Sequence, residues 1–465
     1  MNFVTIDRTG WRPPAPAPNP KPLGPLALLR ALWKNPLEAW AQVHFEQPAV
    51  AANLVLGHVV LVNEPAAVRR VLVDNAGNYR KDRLQQRVLS AGLGQGLLAS
   101  EGEQWRMQRR TLAPLFSRKT VMSFAPAMTR ATDALIDDWQ RRGDGAVVDL
   151  VTEMARLTIG VLEQTIFSDG LGRARDDVRN AMTTYFEALG RIDAFDVLGL
   201  PEFLPRLSRW QIRSTMAFFD AAIDDLIAAR RRSLAADSTG APRDLLTLLL
   251  QAQDPETGAG MSEAEVRANV LTFISAGQET TANALTWSLF LLSQSQEWRE
   301  RVTAEAEGEI DGPLEGLDDR LVETRAVIDE AMRLYPPIVA ISRSAIGPDE
   351  LAGQAVKPGT LVCIAPYVLH RHRQMWQRPD IFDPSRFLPE ARGKIDRFAY
   401  LPFGVGPRIC IGSAFALQEA TLALAAIMKN FRLELAPGHE VWPVQRVTLR
   451  PRDGLRMVIS RRQPN

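Results

Sequence analysis

Leu401-Pro-Phe-Gly-Val-Gly-Pro-Arg-Ile-Cys-Ile-Gly412 is the stretch on which the reading of the whole 465-residue chain turns. It sets Cys410 in a frame of three glycines, Gly404, Gly406 and Gly412, with Phe403 near one end. Glycines let a backbone turn sharply and let a flat ligand approach closely. An apolar run from Ala414 to Ile427 follows and has the pattern of a buried helix. A thiolate just ahead of a helix N-terminus is favoured by the positive end of the helix dipole and by loose backbone N–H groups aimed at sulfur. That is the environment of a soft, anionic metal ligand. Outside such a frame, a lone cysteine is most often an inert core residue.

The spacing Phe-x-x-Gly-x-x-x-Cys-x-Gly, formed by Phe403, Gly406, Cys410 and Gly412, resembles the haem-binding loop of the cytochrome P-450 superfamily. The run from Phe403 to Gly412 fits that signature at every constrained position. The resemblance implies a mainly α fold with small β-sheets, an α+β single domain that encloses haem b. Cys410 is then the axial thiolate and metal ligand, with Phe403 and Gly404 beside the cofactor. The expected organisation is a Pro-rich N-terminal arm over residues 1–25 and one haem-thiolate domain over 26–465.

Composition agrees with a globular enzyme. The chain is 46% apolar, and its net charge of +1 argues against bulk electrostatic binding of nucleic acid. Two cysteines, Cys363 and Cys410, leave no disulfide framework and suit a reducing compartment. No window reaches ~18 uninterrupted apolar residues, so no transmembrane anchor is expected. The N-terminus lacks a charged-then-apolar signal pattern, and a cytoplasmic location is expected. Seven prolines between Pro13 and Pro25 exclude helix there, leaving an extended surface arm or a flexible tail. A helix is predicted over Leu26–Trp40, a strand over His58–Val62 and a helix over Pro65–Leu72. The glycine-bearing stretch Lys81–Glu103 reads as a mobile loop.

Trp105 and Arg109 stand four apart and share a helix face, where an indole N–H and a guanidinium together suit a carboxylate. As a bare pattern such a pair is more often packing plus solvated charge; the family carries Trp-x-x-x-Arg here, on a haem propionate. From Phe116 to Gln251 the pattern is mostly helical, with breaks near Gly143–Gly145, Asp169–Gly172 and Leu198–Pro205. The resemblance implies a two-helix lid joined through Asp193–Pro205, its apolar residues facing either substrate or core. Ser262-Glu-Ala-Glu265 is a capping box that opens a helix reaching about Gln294. In its middle lies Ala276-Gly-Gln-Glu-Thr-Thr281, poor chemistry for a helix interior. Read alone it is a tolerated kink. It resembles the family's oxygen-activation element, which implies Gly277 beside the cofactor and Glu279 and Thr280 in proton delivery at a widened turn.

Glu330 and Arg333 are three apart on one predicted helix face. The family pairs them with an arginine at the place of Arg386, as a buried structural network. It also places arginines like Arg343 and Arg408 at the propionates, with Trp105 and Arg109. His370 and His372 form a His-x-His pair without a companion ligand at metal spacing, so surface or helix-cap roles are expected. Cys363 lies in the apolar strand Leu361–Ile364 and is expected in the core. Ala276 stands where omega-hydroxylases with covalently attached haem carry a glutamate, so no such link is implied.

The resemblance covers essentially the whole chain to a last hairpin near Val447–Gly454, leaving no stretch for an attached reductase. It is nearest the fatty-acid-hydroxylating and microsomal branch, without the anchor, and implies a soluble bacterial enzyme. The function implied is a haem-thiolate monooxygenase that inserts one atom of O2 into an apolar organic substrate such as a fatty acid, terpenoid or steroid. Electrons would come from a separate ferredoxin or flavodoxin with its reductase. Arg110, Arg118, Lys119, Arg392, Lys394 and Arg397 would give that partner a positive docking face. The competing classes are a peroxide-driven peroxygenase, a group that tends to lack the acid–threonine pair, and a non-catalytic haem-binding protein.

Overall fold

Ser262 begins the element that spans the molecule. Its hydroxyl and the Glu265 carboxylate close a reciprocal cap, and the helix Glu263–Gln294 runs from it for 32 residues. At 1.5 Å per residue this is about 48 Å, enough to cross a domain of this size. The computed structural model describes residues 11–54, 57–82, 85–86, 94–168, 207–237 and 240–462, with the side chains of 207–220 excepted. The stretch Asp193–Pro205 and the breaks at Asp169–Gly172 and Leu198–Pro205 lie outside the described residues.

The long helix is buried along most of its length because its apolar side chains meet neighbours on all sides. Helix Leu150–Ile166 packs against its middle, and Val322–Leu334 against its second half. Trp287 stacks on Tyr335 with ring centroids 3.9 Å apart, and its indole N–H donates to the Leu449 carbonyl. Helix Ser413–Asn430, which follows the cysteine loop, packs on the long helix and on Ala125–Arg142. Helix Ala125–Arg142 stops at Gly143, whose φ of 80° only glycine adopts without strain.

Five strands form the main sheet: β1 (Ala49–Leu54), β2 (Gly57–Val62), β3 (Tyr79–Arg80), β4 (Ile341–Ala345) and β5 (Leu361–Ile364), in the order β1-β2-β5-β4-β3. Only β2 and β5 pair in parallel; the other pairings are antiparallel. Arg80 faces Ser344 across β3 and β4, so Lys81 is next in register to Arg343. A second apolar cluster, with Val60, Val62, Val68, Leu72 and Ile364, covers this sheet. Small antiparallel units complete the fold, one of them the hairpin Pro443–Gln445/Leu449–Pro451 at the expected last turn.

Three local expectations shift. The N-terminal helix is shorter than Leu26–Trp40: it covers Pro25–Lys34, and Asn35 with Pro36 starts a separate 3-10 turn, Pro36–Ala39. Residues 11–18 ahead of it carry no helix or strand, and the Pro14 carbonyl accepts from the Tyr335 hydroxyl. His370 and His372 are fully buried rather than surface residues, because the turn that carries them is packed under the cysteine loop, and His370 takes the helix-cap role, at the end of Pro366–Leu369. The long helix passes Ala276–Thr281 without a widened turn; Thr280 Oγ1 bonds back to the Ala276 carbonyl at 2.8 Å within regular helix.

Glu330 and Arg333 have no access to water. Arg333 grips Glu330 with Nε and Nη2 at 2.6 and 2.7 Å, and also donates to the carbonyls of His370, Pro379 and Ile381. Arg386 lies 3.7 Å from Glu330, so the expected trio is assembled. Removing one partner strands a buried charge. Arg333→Met should therefore cost about 3–5 kcal/mol of stability, read from urea unfolding midpoints.

Candidate active site

The cysteine loop is held by its own backbone. Cys410 N donates to the Phe403 carbonyl at 2.9 Å, which closes the turn. Gly404 and Gly406 have φ of 70° and 80°. At Gly406 a Cβ would fall 2.0 Å from the Leu72 carbonyl oxygen, so no other residue fits between loop and sheet layer. Leu401 N donates to His370 Nε2 at 2.8 Å, and the His370 carbonyl in turn accepts from Arg333. The buried ion pair is thereby tied to the cysteine loop through one histidine, by its carbonyl on one side and its ring on the other, a link that the sequence reading missed.

Cys410 is enclosed by protein yet keeps accessible surface, so its thiol borders an interior space rather than solvent. Burial pushes the thiol pKa up, opposed by the Gly412 N–H bonded to sulfur and by the charge of Arg109. Ala276 is likewise accessible within a helix whose neighbouring turns are buried. Phe116 links the two elements: its ring is 5.1 Å from that of Phe273 on the long helix, and its edge lies 4.0 Å from a Cβ built on Gly412.

The cations gather on one side. Arg109 lies in helix Gly102–Leu112, near enough to Cys410 to act on its charge, and has no hydrogen bond or ion pair among the described residues. Arg343, on β4, bonds only the Ser342 carbonyl among the described residues. Arg408 lies over the Trp105 ring at 4.3 Å and pairs with Glu101 at 2.6 Å. Burial lowers the pKa of all three guanidinium groups. Lys81, absent from the sequence reading, joins them; burial first, then Arg408, brings its pKa down to about 8. Partly desolvated cations with few partners suit buried carboxylates, and the donors fit the two that a haem carries.

Phe403 packs at the edge of the main core. Gly277 packs closely on the neighbouring helix: a Cβ there would meet Leu162 at 3.2 Å. Glu279 is half-buried, and loss of solvent raises its pKa, while a hydrogen bond with Thr448 and the charge of Arg450 oppose this. Thr448 also accepts from Asn283 at 2.8 Å. Glu279 and Thr280, adjacent in sequence, thus have different partners. Cys363 sits in β5, its thiol pushed up to about 12 by burial. Of the six cations expected to form a docking face, three are paired: Arg110 with Asp254 and Glu256, Arg118 with Asp319, and Arg392 with Asp329. Lys119, Lys394 and Arg397 have no carboxylate partner among the described residues.

The family model described as cytochrome P450 matches residues 13–457. The chain belongs to the cytochrome P450 family. It is 35% identical to cyclooctatin synthase of Streptomyces melanosporofaciens over 93% of each chain. To cyclooctat-9-en-7-ol 5-monooxygenase of the same organism it is 33% identical, over 91% of this chain and 90% of the relative. The structure is similar to the cytochrome P450DA heme domain, with a TM-score of 0.84 and 26% identity over 97% of this chain and 99% of that one. The fold is the cytochrome P450 fold, the cofactor is haem b and the enzyme is a monooxygenase. Among the described residues no helix is long and apolar enough to cross a membrane.

His370 makes the cysteine side of this cytochrome P450 sensitive to acid. Its pKa falls from 6.5 to about 3 through burial and the charges of Arg333 and Arg371. The unfolded chain binds this proton below pH 6.5 and the folded chain does not, so the contribution is complete above 6.5 and is lost as pH falls. The loss should approach about 1.4 kcal/mol per pH unit below that point. Urea unfolding from pH 7 to 5 should show this slope, reduced by one proton in His370→Gln.

Proposed function

We propose that this monooxygenase hydroxylates a cyclic terpenoid-like hydrocarbon or alcohol, with electrons from a separate ferredoxin or flavodoxin and its reductase. The observation that carries the reading is the accessible, enclosed thiol of Cys410 beside Arg109, which is unpaired among the described residues. The substrate class is supported by the relative whose name denotes oxygenation of an unsaturated carbocyclic alcohol. It is supported further by the apolar segment Pro336–Ile341 ahead of Arg343. The electron donor is supported by Lys119, Lys394 and Arg397, which have no carboxylate partner among the described residues, a smaller set than the sequence suggested. A cytoplasmic setting suits such a donor.

When bound, haem with a thiolate ligand supplies the oxidising chemistry with O2. The protein's residues bind, orient and move protons. Cys410 would hold the metal, and Gly412 N–H and Arg109 stabilise negative charge at its sulfur. Trp105, Arg109, Arg343 and Arg408, with Lys81, would bind the cofactor carboxylates, while Phe403 and Gly404 bound the loop beside it. Burial raises the pKa of Glu279, against the Thr448 hydrogen bond and the charge of Arg450, and so favours its taking up a proton. Thr280 Oγ1 gives its own proton to the Ala276 carbonyl, and its lone pairs can then accept from water.

Two experiments test the reading. Reduced protein with carbon monoxide should show the red-shifted Soret band of thiolate-ligated haem, and Cys410→Ala should abolish it; a normal band in that variant assigns the ligand elsewhere. Spectral titration with cyclic terpenoids, fatty acids and steroids should show the first class binding most tightly; tighter binding of another class replaces the substrate proposal.

Thr280→Ala should still bind substrate and accept electrons. Loss of the hydroxyl that holds the relay water should slow the assisted step by about 10²–10⁴-fold. Reducing equivalents would then appear as hydrogen peroxide, measured with product per NAD(P)H consumed. Wild-type coupling in both Thr280→Ala and Glu279→Gln would remove the relay and favour a peroxide-driven or non-catalytic protein.

A further inference from the structure

Glu101 occupies the N-cap position of helix Gly102–Leu112, but its side chain does not cap that helix. Its Oε2 accepts from Arg408 at 2.6 Å, and its Oε1 lies 3.5 Å from Lys81 Nζ, an ion pair rather than a hydrogen bond. Lys81 also donates to the carbonyls of Leu98 and Ser100, and Arg408 to that of Ser100. One turn of backbone, 98–101, therefore gathers two of the cations that flank the cysteine loop.

That turn is fixed from below. Gln108 Nε2 donates to the Gln95 carbonyl and Asn269 Oδ1 accepts from Leu97 N, each at 2.9 Å. The two amides, both fully buried, bond each other at 3.3 Å. At Gly96 a Cβ would lie 2.5 Å from Thr272 Oγ1 and 2.6 Å from the Ala268 carbonyl, so the turn sits directly on the long helix. This part of the segment that the sequence marked as a mobile loop is clamped.

Two carboxylates act on the cations of this side: Glu101 on Lys81, Arg343 and Arg408, and Asp82, held by Ser342, on Arg343. Arg109 is acted on by Cys410 instead.

We propose that Glu101 is a positioning residue for the cofactor carboxylates, which holds Arg408 and Lys81 beside them and, by its negative charge, lowers the reduction potential of the bound haem. Without it, Arg408 loses its partner over Trp105 and the partly desolvated site gains a net positive charge. A nearby positive charge favours the reduced, less positive iron, and low solvent exposure keeps this effect from being screened away. The inference rests on haem ligation at Cys410.

The test is the midpoint potential of the holoenzyme, read by spectroelectrochemistry, with the release of haem to apomyoglobin as a second measurement. Glu101→Gln should shift the potential to more positive values while the carbon monoxide band of the thiolate complex stays intact. Glu101→Asp keeps the charge but shortens the reach, so its potential should stay near wild type while haem is released faster. Glu103→Gln removes an exposed carboxylate paired with Arg106 and should change neither reading. An unmoved potential in Glu101→Gln, or an equal shift in Glu103→Gln, overturns the proposal. If Glu101→Gln does not retain haem, wild-type release by Glu101→Asp overturns it instead. Absence of the thiolate band in the wild-type protein would refute the ligation itself, a different failure.

Discussion

A guanidinium without access to water organises the cysteine side of this molecule. Arg333 takes both oxygens of Glu330 and three backbone carbonyls, so every strong donor it has is used. Such a pair adds little net stability compared with apolar packing, because desolvating two charges is costly. Its value is geometric. Carbonyls from three separate positions must meet one rigid, planar group, and the chain between His370 and Ile381 has one way to do so. From His370 the constraint passes to Leu401 N and thence to the loop that presents Cys410.

Electrostatics on the neighbouring face works by the opposite rule. There the cations are incompletely paired: Arg109 has no partner among the described residues and Arg343 has one carbonyl. Desolvation lowers their pKa values without removing their charge at neutral pH, because guanidinium pKa values start so high. Lys81 differs. An ammonium brought down to about 8 lies within reach of physiological pH, so its charge depends on its surroundings as that of an arginine does not. A structural ion pair and a cluster of incompletely paired cations are thus built from the same residue types, distinguished by how many acceptors each finds.

The long helix unites the two regions. It is regular through Ala276–Thr281, and its polar residues there differ by partner: Thr280 bonds inward to its own backbone, while Glu279 engages Thr448 on the C-terminal hairpin. Gly277 answers to Leu162 on the neighbouring helix. Residues one position apart on a helix point about 100° from each other, so a contiguous motif is divided among several neighbours.

Local patterns were legible in the sequence because their physics is local. The capping box of Ser262, the Glu330–Arg333 pair at i,i+3 and the shared face of Trp105 and Arg109 follow from helix geometry alone. The glycine frame of Cys410 is likewise a matter of adjacent backbone angles. Lys81, Glu101 and His370 were not legible as parts of the site. Glu101 and Arg408 are 307 residues apart, and Lys81 reaches Arg343 only through the register of β3 against β4. His370 looked like a surface residue because burial depends on which layer covers it, not on its neighbours in the chain. Spacing along one helix or one loop fixes which side chains can share a face; which charges share a low-dielectric space is decided only when distant segments pack.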